Sequence, residues 1–289
     1  MREKSAATGQ DEKRDHSRDR RAELYRASGT LVLIGGATTS HGSSLGEFVR
    51  RSRARTGGRI VGVTSASSNP AASARQWRHD LLAAGCVNVT VPIIPTREDA
   101  ADPHIVESIR TADGIFLGGG DQVKLVSILG GSPAGNAIQD AYVRGAVIGG
   151  TSAGAAALSK TTLAGNEVDE LGQLVEQYIG PGLGLIRQQA IIDTHFSQRR
   201  RLYRLFMALA EFPELLGLGI DEDTALVIDG DIGHVVGAGG VTFVDGRGVT
   251  FSNAADLREG QPLTVSAMRV GIVGAGHAFD LQTRELCLD

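Results

Sequence analysis

The sequence predicts an α/β protein: a doubly wound, mostly parallel sheet with helices on both faces and a C-terminal antiparallel extension. Three observations carry this. Short all-apolar runs recur between residues 31 and 192, each closed by small or polar residues, as in strands buried on both faces. Segments of helical length and composition separate them, which is the signature of βαβ units. From residue 216 onward the runs crowd together, divided by Gly and Asp turns, as in antiparallel hairpins.

In chain order, the first strand is Leu31–Ile34, ended by Gly35-Gly36. Further runs are Ile60–Val63, Val87–Ile94, Gly114–Leu117, Ala146–Ile148 and Ala190–Ile192. Helices are expected over Leu45–Arg55, Ala71–Ala84, Pro103–Thr111, Val123–Leu129 and Asn136–Arg144. Pro103 suits a first helical turn, with Asp102 as its N-cap. Leu216–Ile220, Ala225–Asp229, His234–Val236 and Val241–Val244 form the extension, with Gly230-Asp231 and Gly246-Arg247 as hairpin connections. Residues 1–28 mix Lys and Arg with Asp and Glu, and are expected to form a charged, disordered tail. A short helix over Ala22–Arg26 could lead into one α/β domain spanning 29–289.

Composition excludes several classes. The chain has 289 residues, 42% hydrophobic and 21% charged, enough apolar surface for a real core. A net charge of −4 argues against a nucleic-acid binder. Cys86 and Cys287 make no disulfide framework. There is no apolar run long enough for a membrane helix and no apolar N-terminal signal segment, so a cytoplasmic protein with no membrane partner is expected.

Open parallel sheets bind ligands beyond the carboxyl ends of their strands. Four such loops stand out. Gly150-x-Ser152-x-Gly154 follows a strand and opens a small-residue helix, the pattern of a nucleophile elbow. Gly118-Gly119-Gly120-Asp121-Gln122 allows backbone N–H groups to approach a ligand. Gly119 and Gly120, with Ala153 after the nucleophile, are the candidate oxyanion donors. His195, after Ala190–Ile192, is placed as a general base. Arg199, Arg201 and Arg204 follow it, on what reads as the start of a helix, and clustered guanidiniums bind carboxylates. The acid that orients His195 is sought among Glu167, Asp169 and Glu170. The order Ser, acid, His matches α/β-hydrolases, but 43 residues between Ser152 and His195 are too few for their intervening units. A convergent triad on another doubly wound fold is expected.

Together, G-G-T-S-A-G-A-A, F-L-G-G-G-D-Q, I-D-T-H-F-S-Q-R-R-R-L-Y-R-L and G-I-D-E-D-T-A-L resemble the cyanophycinase family. That family is related to peptidase E and has the class I glutamine amidotransferase-like fold. The resemblance implies a serine exopeptidase that releases β-aspartyl-arginine dipeptides from cyanophycin, a poly-aspartate with arginine on each β-carboxyl. It implies Ser152 as nucleophile, His195 as base and Glu170 as acid, with Glu167 as the alternative. Substrate contacts fall on Gln122, Asp193, Thr194, Arg199, Arg201 and Arg204, with Asp121 and Thr194 standing where the family commonly has Asn and Gln. The polymer, or a peptide containing β-aspartyl-arginine, is then the expected partner. No metal or cofactor is expected, and a homodimer is. Cleavage of small aspartyl dipeptides, and non-catalytic binding of acidic peptides, are the competing readings.

Overall fold

The computed structural model describes residues 29–168, 174–257 and 261–288, and side chains within these except those of 165–168 and 174–177. The expected tail and its helix at Ala22–Arg26 lie outside the described residues.

The chain runs β1 (Leu31–Ile34), α1 (Ser43–Arg51), β2 (Arg59–Val63), α2 (Pro70–Ala83), β3 (Asn88–Thr90), α3 (Pro103–Arg110), β4 (Gly114–Leu117), α4 (Gln122–Leu129), α5 (Pro133–Val143), β5 (Val147–Thr151) and α6 (Ala153–Ala156). An antiparallel hairpin follows, β6 (Thr161–Val168) and β7 (Leu174–Pro181), then β8 (Ala190–Thr194) and α7 (Leu202–Glu211). The remainder is β9 (Leu216–Ile220), β10 (Thr224–Asp229), β11 (Ile232–Gly237), β12 (Gly240–Asp245), β13 (Arg269–Gly274), β14 (Ala278–Asp280) and β15 (Glu285–Cys287).

β1, β5, β4, β2 and β3 lie side by side in that order, all parallel. β10, β11, β14 and β15 continue the same sheet beyond β1, each pair antiparallel. The apolar runs divide between two cores, as strands covered on both faces must. Leu31 and Leu33 pack with Ile115, Leu117, Ile138 and Leu129 on one side. Val32 and Ile34 pack with Phe48, Leu45, Phe116 and Val147 on the other. Helix starts follow local chemistry: Asp102, Asp121 and Ser132 each accept backbone N–H bonds at the first turn of α3, α4 and α5. Asp121 is therefore a capping residue.

Four expectations are corrected. β8 is not a strand of the main sheet. It pairs parallel with β9 in a second sheet of order β13-β12-β9-β8. Ile192, Leu216, Leu218 and Ile220 on one face of that sheet join the main core, while Ile191 packs with Leu205 and Leu209 of α7 on the other. The run Val87–Ile94 is a strand only over Asn88–Thr90, because it sits at the sheet edge and pairs with β2 alone. The first helix stops at Arg51: Arg53 takes φ 53° and breaks it. Gly230-Asp231 does connect the β10–β11 hairpin, but Gly246-Arg247 begins a long excursion, since β12's partner β13 starts only at Arg269. Arg247 instead turns back onto Asp245, which also receives Arg284 Nη1 at 2.5 Å.

Candidate active site

The loops following β1, β4, β5, β8 and β9 meet at one place. β5 ends at Thr151, and the chain turns through Ser152 into α6. Ser152 holds φ 52°, ψ −120°, a conformation that side-chain-bearing residues rarely adopt. Its N–H donates to Ile34 O at 3.0 Å, and its carbonyl accepts from Ala155 N and Ala156 N. The two flanking glycines let this turn close. A Cβ on Gly150 would lie 2.5 Å from Gly154 O, and one on Gly154 would lie 2.2 Å from Leu117 O. The backbone is that of the elbow expected from the sequence. Its helix is a single turn, so stabilisation of charge beside Ser152 falls to nearby N–H groups rather than to a long dipole.

His195 follows β8 with φ 51°. Its Nε2 lies 2.9 Å from Ser152 Oγ, and its Nδ1 lies 2.6 Å from Glu222 Oε1. An ionised carboxylate only accepts, so Nδ1 carries the proton and the Nε2 lone pair faces the serine hydroxyl. That is the arrangement for moving a proton from Oγ to the imidazole as the oxygen attacks a carbonyl.

The carboxylate on His195 is therefore Glu222, in place of the expected Glu170. Glu170 and Asp169 lie outside the described residues, and Glu167 sits on β6 with its side chain undescribed. The physical reason is topological. β9 runs parallel to β8, so the turn after β9 stands beside the loop after β8, at the same end. The signal was in the sequence: Asp221-Glu222-Asp223 closes the apolar run Leu216–Ile220, as His195 closes its own. Supporting bonds hold the turn. Glu222 N–H donates to Gln198 Oε1, Asp221 accepts Ser197 N and Oγ, and Asp223 accepts Ser44 Oγ.

Gly119 lies against Ser152: a Cβ built on it would be 3.4 Å from Ser152 Cβ and 3.9 Å from Oγ. Gly120, Gln122, Ala153, Asp193, Thr194, Arg199, Arg201 and Arg204 line the same small cleft as Ser152. Gln122 Nε2 donates to Leu163 O of the β6–β7 hairpin, which forms one wall. So every expected contact residue reaches the cleft, but two details differ. Arg199, Arg200 and Arg201 form a turn before α7, which begins only at Leu202, leaving Arg204 alone on the helix. And Asp193 does not stand ready for an incoming guanidinium. It is 2% exposed, accepts Arg201 Nη1 at 2.9 Å, and lies 3.6 Å from Arg204 Nε. Its carboxylate anchors the two arginines. Burial pushes the Arg204 guanidinium down from its usual pKa, and the Asp193 charge works against that shift. A separate cavity of about 560 Å³ lies behind the hairpin, lined by Val126, Leu129, Ile179 and Leu183. Ser152, His195 and Glu222 are not among its lining residues.

Among the described residues, no helix is long and apolar enough to cross a membrane. Comparison with known proteins places these residues in context. The pattern defining peptidase family S51 matches residues 31–236. The cyanophycinase of Nostoc sp. is 36% identical over 267 residues, covering 90% of this chain and 88% of that protein. The cyanophycinase of Geminocystis herdmanii is 32% identical over 263 residues, covering 90% and 96%. A crystal structure of a peptidase from an acI-B1 actinobacterium superimposes with a TM-score of 0.62 at 23% identity, covering 88% of this chain and 97% of that one. That similarity speaks for the fold.

Proposed function

The chain belongs to peptidase family S51, and on that premise we propose that it is a serine exopeptidase acting on cyanophycin and releasing β-aspartyl-arginine dipeptides. The observation that carries the chemistry is the line Glu222–His195–Ser152, with contacts of 2.6 and 2.9 Å, opening into a cleft walled by three arginines. The substrate class is that of the relatives named cyanophycinase.

In this reading Ser152 Oγ attacks the backbone carbonyl of a terminal aspartyl unit, and its proton passes to His195 Nε2. The oxygen of the tetrahedral intermediate is met by backbone N–H groups of Gly119, Gly120 and Ala153. His195 then gives the proton to the departing amine, the C–N bond breaks, and Ser152 is left acylated. Water, deprotonated by the same nitrogen, attacks the ester, and its collapse frees the carboxylate product and restores the hydroxyl. Glu222 keeps the proton on Nδ1 and stabilises the imidazolium that forms at each step. A substrate unit presents free carboxylates, which Arg199, Arg201 and Arg204 can meet with charge-assisted bonds. With Asp193 already engaged, the substrate guanidinium is matched elsewhere.

Incubation of purified protein with cyanophycin, followed by mass analysis, tests the proposal. Dipeptide of β-aspartyl-arginine as the product supports it. Release of free amino acids from α-linked aspartyl dipeptides, with the polymer untouched, would instead indicate peptidase E-like cleavage. Failure of Ser152 to react with a serine-directed acylating reagent would indicate a binding protein. We also propose a homodimer in the cytoplasm, the dimer being checked by equilibrium sedimentation.

A further inference from the structure

The three proposed triad members share one anchor. Ile34 O accepts Ser152 N–H at 3.0 Å, Gly35 O accepts His195 N–H at 2.7 Å, and Gly36 O accepts Asp223 N–H, next to Glu222, at 2.9 Å. Three successive carbonyls at the end of β1 thus hold the backbones that carry nucleophile, base and acid. The third of these residues also touches the imidazole. Gly36 has φ 108°, and a Cβ built on it would sit 2.1 Å from His195 Cε1, 2.4 Å from Nε2 and 2.7 Å from Nδ1. All three distances are far below any real carbon contact, so the bare Cα of Gly36 forms the wall against which the ring lies.

We propose that Gly36 is a positioning residue for the hydrolytic reaction: its lack of a side chain, with the carbonyls of residues 34–36, sets the plane of the His195 imidazole between Ser152 and Glu222. The inference rests on the serine-peptidase reading above. A methyl group at 36 must displace the ring, and the ring can leave only by lengthening the 2.9 Å contact to Ser152, the 2.6 Å contact to Glu222, or both. Gly36 is not among the residues that line the cleft, so the loss is expected in kcat with KM in place.

The natural control is Gly57, which has φ 107° with nothing within 4 Å of a built Cβ. Gly57→Ala therefore carries similar left-handed backbone strain without the collision. Gly36→Ala, Gly57→Ala, His195→Ala and the double variant Gly36→Ala/His195→Ala are compared by thermal melting. The variants that retain His195 are also compared by steady-state turnover of cyanophycin, and by the downfield proton signal of the Nδ1–H bond to Glu222. A displacement of about 1 Å costs on the order of 10²-fold in rate. The expected result is a kcat for Gly36→Ala about 10²-fold or more below that of Gly57→Ala, with KM within about threefold and the downfield signal lost. Its melting temperature should fall by about 5 °C or more beyond that of Gly57→Ala, and this excess should vanish when His195 is Ala. If Gly36→Ala does not fold while the double variant does, the collision with the ring is likewise supported. A kcat within about threefold of Gly57→Ala, an excess loss that persists without the imidazole, or a double variant that also fails to fold overturns the proposal. The melting cycle uses no turnover, so its outcome stands apart from whether Ser152 is the nucleophile.

Discussion

Replacing Glu222 by Gln tests where the imidazole proton resides. The Glu222 carboxylate sits 2.6 Å from Nδ1 and obliges that nitrogen to donate. An amide at 222 can donate instead, which favours the tautomer with the proton on Nε2, the nitrogen that must accept from Ser152. In fully buried triads this loss is about 10⁴ in turnover. Glu222 is not fully buried: its side chain is 35% exposed. Solvent therefore screens part of its field on the imidazolium, and the amide has room to rotate and offer its oxygen. A smaller loss follows, about 10²–10³ in kcat, equivalent to roughly 3–4 kcal/mol of transition-state stabilisation. The assay is the initial rate of dipeptide release from soluble polymer, with Glu170→Gln and Glu167→Gln measured alongside and expected within about threefold of the parent. Turnover of Glu222→Gln within about threefold of the parent, or an equal fall in Glu170→Gln, would refute the assignment of the acid.

Three further outcomes are expected. Ser152→Ala should lose about 10⁴-fold or more in turnover while circular dichroism and melting stay close to the parent; activity within about tenfold ends the serine reading. Arg199→Ala should lower kcat/KM on polymer about 10- to 100-fold and leave Ser152 labelling by a small neutral reagent intact. Arg204→Ala should in addition cost about 3 kcal/mol in urea unfolding, because it strips a cation from buried Asp193; unchanged stability would sink the anchoring role given to that carboxylate. Burial alone would raise the pKa of Asp245, but hydrogen bonds from Arg247 and Arg284 outweigh it and hold the carboxyl well below the usual range. A lowered folded pKa gives stability that is present above the unfolded value and lost as pH falls through the folded one. The unfolding free energies of the parent and Asp245→Asn should thus differ by a constant amount from about pH 8 to 5 and converge below about pH 4, whereas a constant gap in acid would contradict the ion-pair account.

The strands most legible in the sequence were those buried on both faces. Leu31–Ile34 and Ile115–Leu117 are continuous apolar runs because each side chain meets one core or the other. The elbow was legible too, since Gly150 and Gly154 are required by contacts closer than any Cβ allows. Ala190–Ile192 looked the same as the main-sheet strands, because an apolar run records burial and not which sheet provides it. Its parallel partner, Leu216–Ile220, lies beyond a helix and reads in the sequence as part of the antiparallel tail. That likeness hides Glu222: once β9 is set beside β8, the carboxylate after it falls next to His195. The engagement of Asp193 is hidden for a different reason. Its spacing to Arg201 and Arg204 gives no sign that the carboxylate is buried against both guanidiniums.

β9 belongs to the four-stranded sheet and β10 to the nine-stranded one, and only residues 221–223 join them. Glu222 is the middle residue of that joint. Ser152 rides on the larger plate and His195 on the smaller, so the reactive line spans a seam between two bodies of backbone. Its length is a gauge of how those plates are seated. Apolar side chains buried in the seam, such as Ile192, Leu218 and Ile220, set that seating from far beneath the cleft. A change in their volume can shift the gauge by a fraction of an ångström and quiet the chemistry in a protein that is still folded, without touching substrate or any group that reacts.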